Sequence, residues 1–180
     1  SVANQMFCEG VIVAHTSGSV PMSALENSSD KIGVFYPLQT MHKDAEVNML
    51  EVPLCIEANS KWNEGVLLEL AHSLSNNVQI LSSEQRKLTH VAAVLACNFS
   101  NHFYALADEM LQQNEMTLDI LKPLIKKTAA NILTESPKAL QTGPAKRNDT
   151  KVMEEHLAIL PDDLKQLYAA VSQSIVKMHQ

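Results

Sequence analysis

Apolar residues along this chain follow two different periods, and the change between them falls near residue 81. Before it, short continuous apolar runs alternate with turn signals. Val11-Ile-Val-Ala14 ends at His15-Thr-Ser-Gly18, and Ile32-Gly-Val-Phe-Tyr36 is halted by Pro37. Val52 to Ile56 and Val78 to Leu81 complete a set of four predicted strands. Runs that are apolar on both faces predict strands buried on both sides, as in a sheet sandwiched by helices. Between the last two, Trp62, Val66, Leu67, Leu70 and Leu74 recur at helical spacing and predict a helix over 61–74.

Beyond residue 81 the strand pattern stops. Ser82-Ser-Glu-Gln85 has the S-x-x-Q form of a capping box, in which the serine accepts from a free backbone N–H and the glutamine reaches back. The helix it opens is predicted to run to about 113. Further helices are predicted over 117–133, 151–160 and 163–178, with a break or short helix start at Ser136-Pro137 and a loop over 142–147. The expected architecture is α/β followed by all-α, with domains at 1–81 and 82–180.

The long helix carries the most chemistry. At about 100° per residue, Leu88, Ala92, Leu95, Phe99, Phe103 and Leu106 share one face, and Ala93, Ala96, Ser100 and Ala107 form a small-residue face. Both are expected to be buried. The remaining face holds Lys87, His90, Asn98 and Asn101, with His102 at its margin. Unpartnered hydrogen-bonding groups cost about 1–3 kcal/mol each when buried, so this polar stripe must face either another polar surface of the chain or a ligand.

His15-Thr16-Ser17-Gly18 is a second candidate, because ligands of open α/β sheets bind outside the carboxyl ends of strands. Gly18 permits close backbone approach, and the hydroxyls are potential ligand contacts. A turn of this composition also forms for conformational reasons alone. Gln39-Thr40 ends the next strand in a similar way.

Composition removes several alternatives. The 180 residues are 46% apolar and 19% charged, enough for a sizeable core, and the net charge of −6 offers no basic field for nucleic acid. Cys8, Cys55 and Cys97 are unpaired in spacing, which argues against a disulfide framework or zinc site and for a reducing cytoplasm. No His or acidic spacing predicts a metal. Cys97 is expected to be an inert buried thiol. Leu88 to Ala107 lacks formal charge, yet His90, Asn98, Asn101 and His102 make it too polar for a lipid-facing span. The first residues lack the pattern of a signal peptide, and the start at Ser1 leads us to expect a fragment or processed product.

Five segments in order, His15 to Pro21, Gly33 to Thr40, Ser83 to Lys87, Cys97 to Ala107 and Gln141 to Arg147, together resemble one family. It is the Rossmann-like proteins that carry domain of unknown function 2520, in the 6-phosphogluconate-dehydrogenase-like superfamily. The resemblance implies the C-terminal half of a Rossmann-like domain, then a helical domain like the 6-phosphogluconate dehydrogenase C-terminal domain that builds a homodimer, with the active cleft between them. It implies an oxidoreductase that uses NADP or NAD, with hydride moving to or from a small carbonyl, imine or deazaflavin substrate. The His15–Pro21 segment is also similar to the D-x-S-T-x-x-P segment of β-hydroxyacid dehydrogenases, matched at Ser17 and Pro21 but not at His15 and Gly18. Lys87 stands where those enzymes keep a catalytic lysine, although Val91 replaces the asparagine found four positions later in them.

On this resemblance the expected catalytic residues are Lys87, His90 and Asn98. Ser17, Asn101, His102 and Arg147 are expected to contact substrate, and His15, Thr16, Gly18, Gln39 and Thr40 the cofactor. None of the five glycines forms a G-x-G-x-x-G, so the phosphate loop lies outside this sequence or the dinucleotide is not bound in the usual way. The alternative is a non-catalytic metabolite-binding and dimerisation module.

Overall fold

The computed structural model describes residues 10–41, 43 and 46–180, which form two compact units divided in the chain at Leu106/Ala107. Cys8 and the N-terminal segment lie outside the described residues.

The first unit is built on four strands: β1 (Val13–His15), β2 (Ile32–Pro37), β3 (Leu54–Ala58) and β4 (Val78–Ile80). They lie side by side in chain order, β1 parallel to β2, β2 antiparallel to β3 and β3 parallel to β4. Helix α1 (Lys61–Leu74) connects β3 to β4, with bounds equal to those predicted. Ser60 caps it by accepting from the Asn63 amide at 3.2 Å. At its far end buried Ser75 donates to the Val52 carbonyl at 2.6 Å and accepts from the Asn77 amide at 3.0 Å, joining the helix terminus to the segments that lead into β3 and β4.

Alternation along the strands separates two layers of different chemistry. In register, Gly33, Phe35 and Pro37 of β2 sit beside Ala58, Ile56 and Leu54 of β3. This face packs against α1, where Leu54, Ile56, Leu67, Ala71 and Val52 form the buried core with Phe35 against it. Burial of each large side chain here contributes about 1.5–3 kcal/mol. Gly33 lets the helix close on the sheet, since a β-carbon there would meet Leu67 Cδ1 at 2.5 Å and the Glu57 carbonyl at 2.8 Å.

The opposite face presents Val34 and Tyr36 beside Glu57 and Cys55. Only β2 and β3 have the buried runs predicted for all four strands. β1 and β4 lie at the ends of the sheet in this chain and stay partly open.

The long helix begins as predicted. Ser82 and Gln85 make both halves of the capping box, at 3.3 and 2.9 Å. It is not one uniform helix, however: α2 (Ser83–Ala93) passes through a π-helical segment, Val94–Phe99, into α3 (Ser100–Gln112). Nor is it the buried core helix expected from its apolar faces. Arg86 is its buried residue, whereas Leu88 is 72% exposed, Leu95 58% and Phe99 51%. Only the first turns of α2 bury a side chain against the sheet, and the apolar faces of the later turns stay open among the described residues.

Arg86 is held on the polar face of the sheet. Its guanidinium pairs with the Glu57 carboxylate through Nη1 and donates through Nη2 to the Val20 carbonyl at 2.6 Å. Ser83 donates its hydroxyl to Glu57 at 2.8 Å, its amide donates to the same carboxylate at 3.0 Å, and its oxygen accepts from the Met22 amide at 3.2 Å. One carboxylate thus ties β3, the start of α2 and the segment after β1.

The second unit consists of helices, after a 3-10 turn at Leu118–Ile120: α4 (Lys122–Asn131), α5 (Pro137–Leu140), α6 (Thr150–Ile159) and α7 (Asp162–His179). Asp149 caps α6 by accepting from the Val152 amide. His156 and Tyr168 join α6 to α7 through a 2.8 Å hydrogen bond. A mixed sheet followed by helices is the expected fold class. No described helix is long and apolar enough to cross a membrane.

Removing one member of a buried ion pair leaves the other uncompensated, at a cost of about 3–5 kcal/mol when burial is complete. Glu57 retains 17% side-chain exposure, so Arg86→Met is expected to destabilise the chain by roughly 3 kcal/mol, near the lower limit, in urea unfolding. A change below about 0.5 kcal/mol, the size of an ordinary surface substitution, rules out this anchoring role.

Candidate functional site

Above the polar face of the sheet, in the first unit, lies a cavity of about 410 Å³. Tyr36, Gln39 and Thr40 contribute from β2 and its end, and His90, Cys97 and Asn98 from the long helix; Leu38, Ala93 and Val94 complete its apolar wall. Tyr36 reaches it because it alternates with Phe35, which points into the core.

Tyr36 Oη and His90 Nδ1 share a 3.1 Å hydrogen bond, their rings meeting edge-on at 70°. Gly18 backs this pair: a β-carbon there would lie 2.7 Å from His90 Nδ1 and 2.8 Å from Tyr36 Oη. Burial pushes the Tyr36 hydroxyl above its ordinary pKa, with Cys55 acting in the same direction and Arg86 against it, so Tyr36 is protonated at neutral pH. Burial also raises the Cys55 thiol, opposed by Arg86.

The expected site residues divide. His90, Asn98, Gln39 and Thr40 line the cavity, and Gly18 packs against two of its members. Lys87, Asn101 and His102 are exposed and are not among its lining residues. The stripe presumes a uniform helix, whereas the π-helical segment takes about one residue more per turn and so changes the angular position of Asn101 and His102 beyond it; Lys87 precedes that segment and is exposed without its help. Cys97, expected to be buried and inert, is exposed on the cavity wall. Arg147 is exposed in the loop before α6, in the second unit.

His15 and Ser17 are engaged within their own loop. His15 Nδ1 accepts from the Ser17 amide at 3.2 Å, which leaves Nε2–H to donate to the Pro21 carbonyl at 3.4 Å. Ser17 Oγ accepts from the amides of Ser19 and Val20, both at 3.3 Å. Thr16 is exposed.

Tyr36, Glu57 and Arg86 were not among the residues expected at the site. Glu57 ends an otherwise apolar run, and Ser83 and Arg86 are three apart on a predicted helix; those were the available signals.

The family of domain of unknown function 2520 matches residues 52–175. This chain belongs to that family. A solved structure from Bacteroides fragilis, named as a putative NADP oxidoreductase, is 45% identical with a TM-score of 0.88, over 92% of this chain and 65% of its own. A protein from Thermotoga maritima is 21% identical with a TM-score of 0.74, over 93% of this chain and 68% of its own, and shows the fold alone. Among curated proteins none matches. The family member described here therefore spans 65% of the length of its Bacteroides fragilis relative.

Burial holds the pKa of His15 below its ordinary 6.5; the bond to Pro21 opposes this, Arg86 adds to it and Glu57 opposes it. The folded chain then binds this proton more weakly than the unfolded chain. The contribution of His15 to stability is complete above about pH 6.5 and declines as the pH falls toward the lowered folded value. The stability advantage over His15→Asn should shrink between pH 7.5 and 5.5 in urea melts. An advantage that grows on acidification contradicts the assignment.

Proposed function

We infer that this chain carries the substrate-binding part of an NAD(P)-dependent oxidoreductase acting on a small carbonyl, imine or deazaflavin substrate. The observation that carries the reading is the convergence of His90, Tyr36, Asn98, Gln39 and Thr40 on one cavity backed by Gly18. The name and 45% identity of the Bacteroides fragilis protein support it. His90 is the proton-handling group, with Asn98 orienting the substrate at the rim; Lys87 is exposed and outside the cavity lining.

A dinucleotide would supply the hydride, but the residues described here do not fit its phosphates. Helices α1 and α2 open on Ser60 and Ser82, whose side chains occupy first-turn amides that a pyrophosphate would need, and neither opens on a Gly-rich turn. On this reading the phosphate contacts fall to the additional length of the larger relative that this chain does not span. Isothermal titration of NADPH and NADH should show binding by a chimera carrying that additional part of the Bacteroides fragilis protein, and none by this chain alone. Absence of binding to a folded chimera overturns the oxidoreductase reading and favours a non-catalytic metabolite-binding module.

The same reading includes a homodimer in a reducing compartment such as the cytoplasm. Leu88, Leu95, Phe99 and Phe103 are exposed apolar residues on the long helix, the chemistry of surface that a second copy covers. Cys55 and Cys97 are free thiols. Sedimentation at several concentrations is expected to show a dimer that Leu95→Glu dissociates; a native chain that stays monomeric at high micromolar concentration removes the dimer from the proposal.

A further inference from the structure

Three features of the Tyr36–His90 cavity restrict the ligand that it accepts. The first is charge. None of its described lining residues is Asp, Glu, Lys or Arg. The charged pair on the same sheet face is already compensated: Arg86 is 1% exposed, paired with Glu57 and bonded to the Val20 carbonyl. A carboxylate or phosphate entering the inner end would give up water without meeting a fixed countercharge, and the His90 imidazole would have to take up a proton to supply one. The net charge of −6 adds a weaker repulsion of the same sign.

The second is the single hydrogen bond between Tyr36 Oη and His90 Nδ1, which has two neutral forms. With Nδ1 bare, Tyr36 donates to it, and the tyrosine oxygen accepts from a ligand O–H. With the imidazole proton on Nδ1, the ring donates to Tyr36 Oη, and the tyrosine O–H is free to donate to a ligand C=O. The same two atoms therefore satisfy an alcohol and its carbonyl counterpart without a change in net charge. The third is Gly18, which packs so closely behind both rings that the pair has no room to swing back into the loop.

We propose that the inner end of this cavity binds an uncharged alcohol or its ketone or aldehyde counterpart through Tyr36 and His90, and that it discriminates against hydroxy acids and phosphorylated carbonyls. Leu38, Ala93 and Val94 receive the apolar body of such a ligand, while Gln39, Thr40 and Asn98 supply neutral polar contacts nearer to solvent. The assignment rests on the reading of the cavity as a substrate site, but it needs no bound dinucleotide. It also separates this chain from the β-hydroxyacid dehydrogenases that its His15–Pro21 segment resembles, whose substrates carry a carboxylate.

Probe pairs that differ only in carrying a methyl group or a carboxylate test it: 1-phenylethanol and acetophenone against mandelate and benzoylformate. Their effect is read on the His90 ring by side-chain 1H–15N NMR of the chain as it stands, with the resonance assigned by its loss in His90→Gln. The neutral pair should shift His90 at concentrations at least about tenfold lower than the carboxylates at about pH 8, the ratio expected when an ion finds no fixed countercharge. Tyr36→Phe should weaken binding of the neutral pair about fivefold, as loss of one hydrogen bond does. Gly18→Ala, which crowds the pair, should weaken it as well.

Carboxylates that bind as tightly as the neutral probes overturn the proposal. So do neutral probes that leave the His90 ring unmoved, or that bind Tyr36→Phe unchanged. The chimera titration reports separately on NADPH and NADH, so loss of the cofactor reading and loss of this preference are told apart.

Discussion

The ion pair between Glu57 and Arg86 is the constraint on which the first unit depends. An acid on the β3 face away from α1 has no apolar partner to pack against, and an arginine in the first turns of a helix has no reason to be buried unless something compensates it. Each answers the other. Desolvation consumes much of the Coulombic gain of such a pair, so its main product is register rather than net stability. It determines which turn of the long helix meets the sheet and at what rotation. Ser83 and the Val20 carbonyl complete the arrangement, holding the loop after β1 against the same point.

Everything in the candidate site depends on that anchor. His90 lies one turn beyond Arg86, so pinning Arg86 over Glu57 brings His90 over Tyr36, whose backbone neighbours Cys55 on β3. Gly18, in the loop held by Val20 and Met22, then meets the two rings. The π-helical segment begins only after this contact. That segment contributes Val94, Cys97 and Asn98 to the cavity wall, whereas Asn101 and His102 beyond it stay exposed. The polar residues of the helix therefore do not act as one stripe. His90 and Asn98 reach the cavity, and the others remain at the exposed surface.

Much of the fold was legible in the order of residues because its signals are local. The apolar runs of β2 and β3, the helical spacing over 61–74 and the capping box at Ser82 each depend on neighbours within a few positions; each is present, with β3 beginning two residues later than its apolar run. Family membership was legible for a similar reason, since short segments recur in a constant order. The sites were less so. His90, Asn98, Gln39 and Thr40 were singled out and meet at one cavity, but Tyr36 looked like an ordinary strand residue and Arg86 like a surface charge.

The chain order by itself determined the kinds of element and the switch from sheet to helices near residue 81, because backbone periodicity and capping are read from adjacent residues. Tertiary structure alone decided that Glu57 faces Arg86, that Tyr36 and His90 share a hydrogen bond, and that the long helix leaves α geometry at Val94. Those outcomes join residues 29 and 54 positions apart, or balance one turn of helix against the contacts on either side of it, and local spacing carries no record of either.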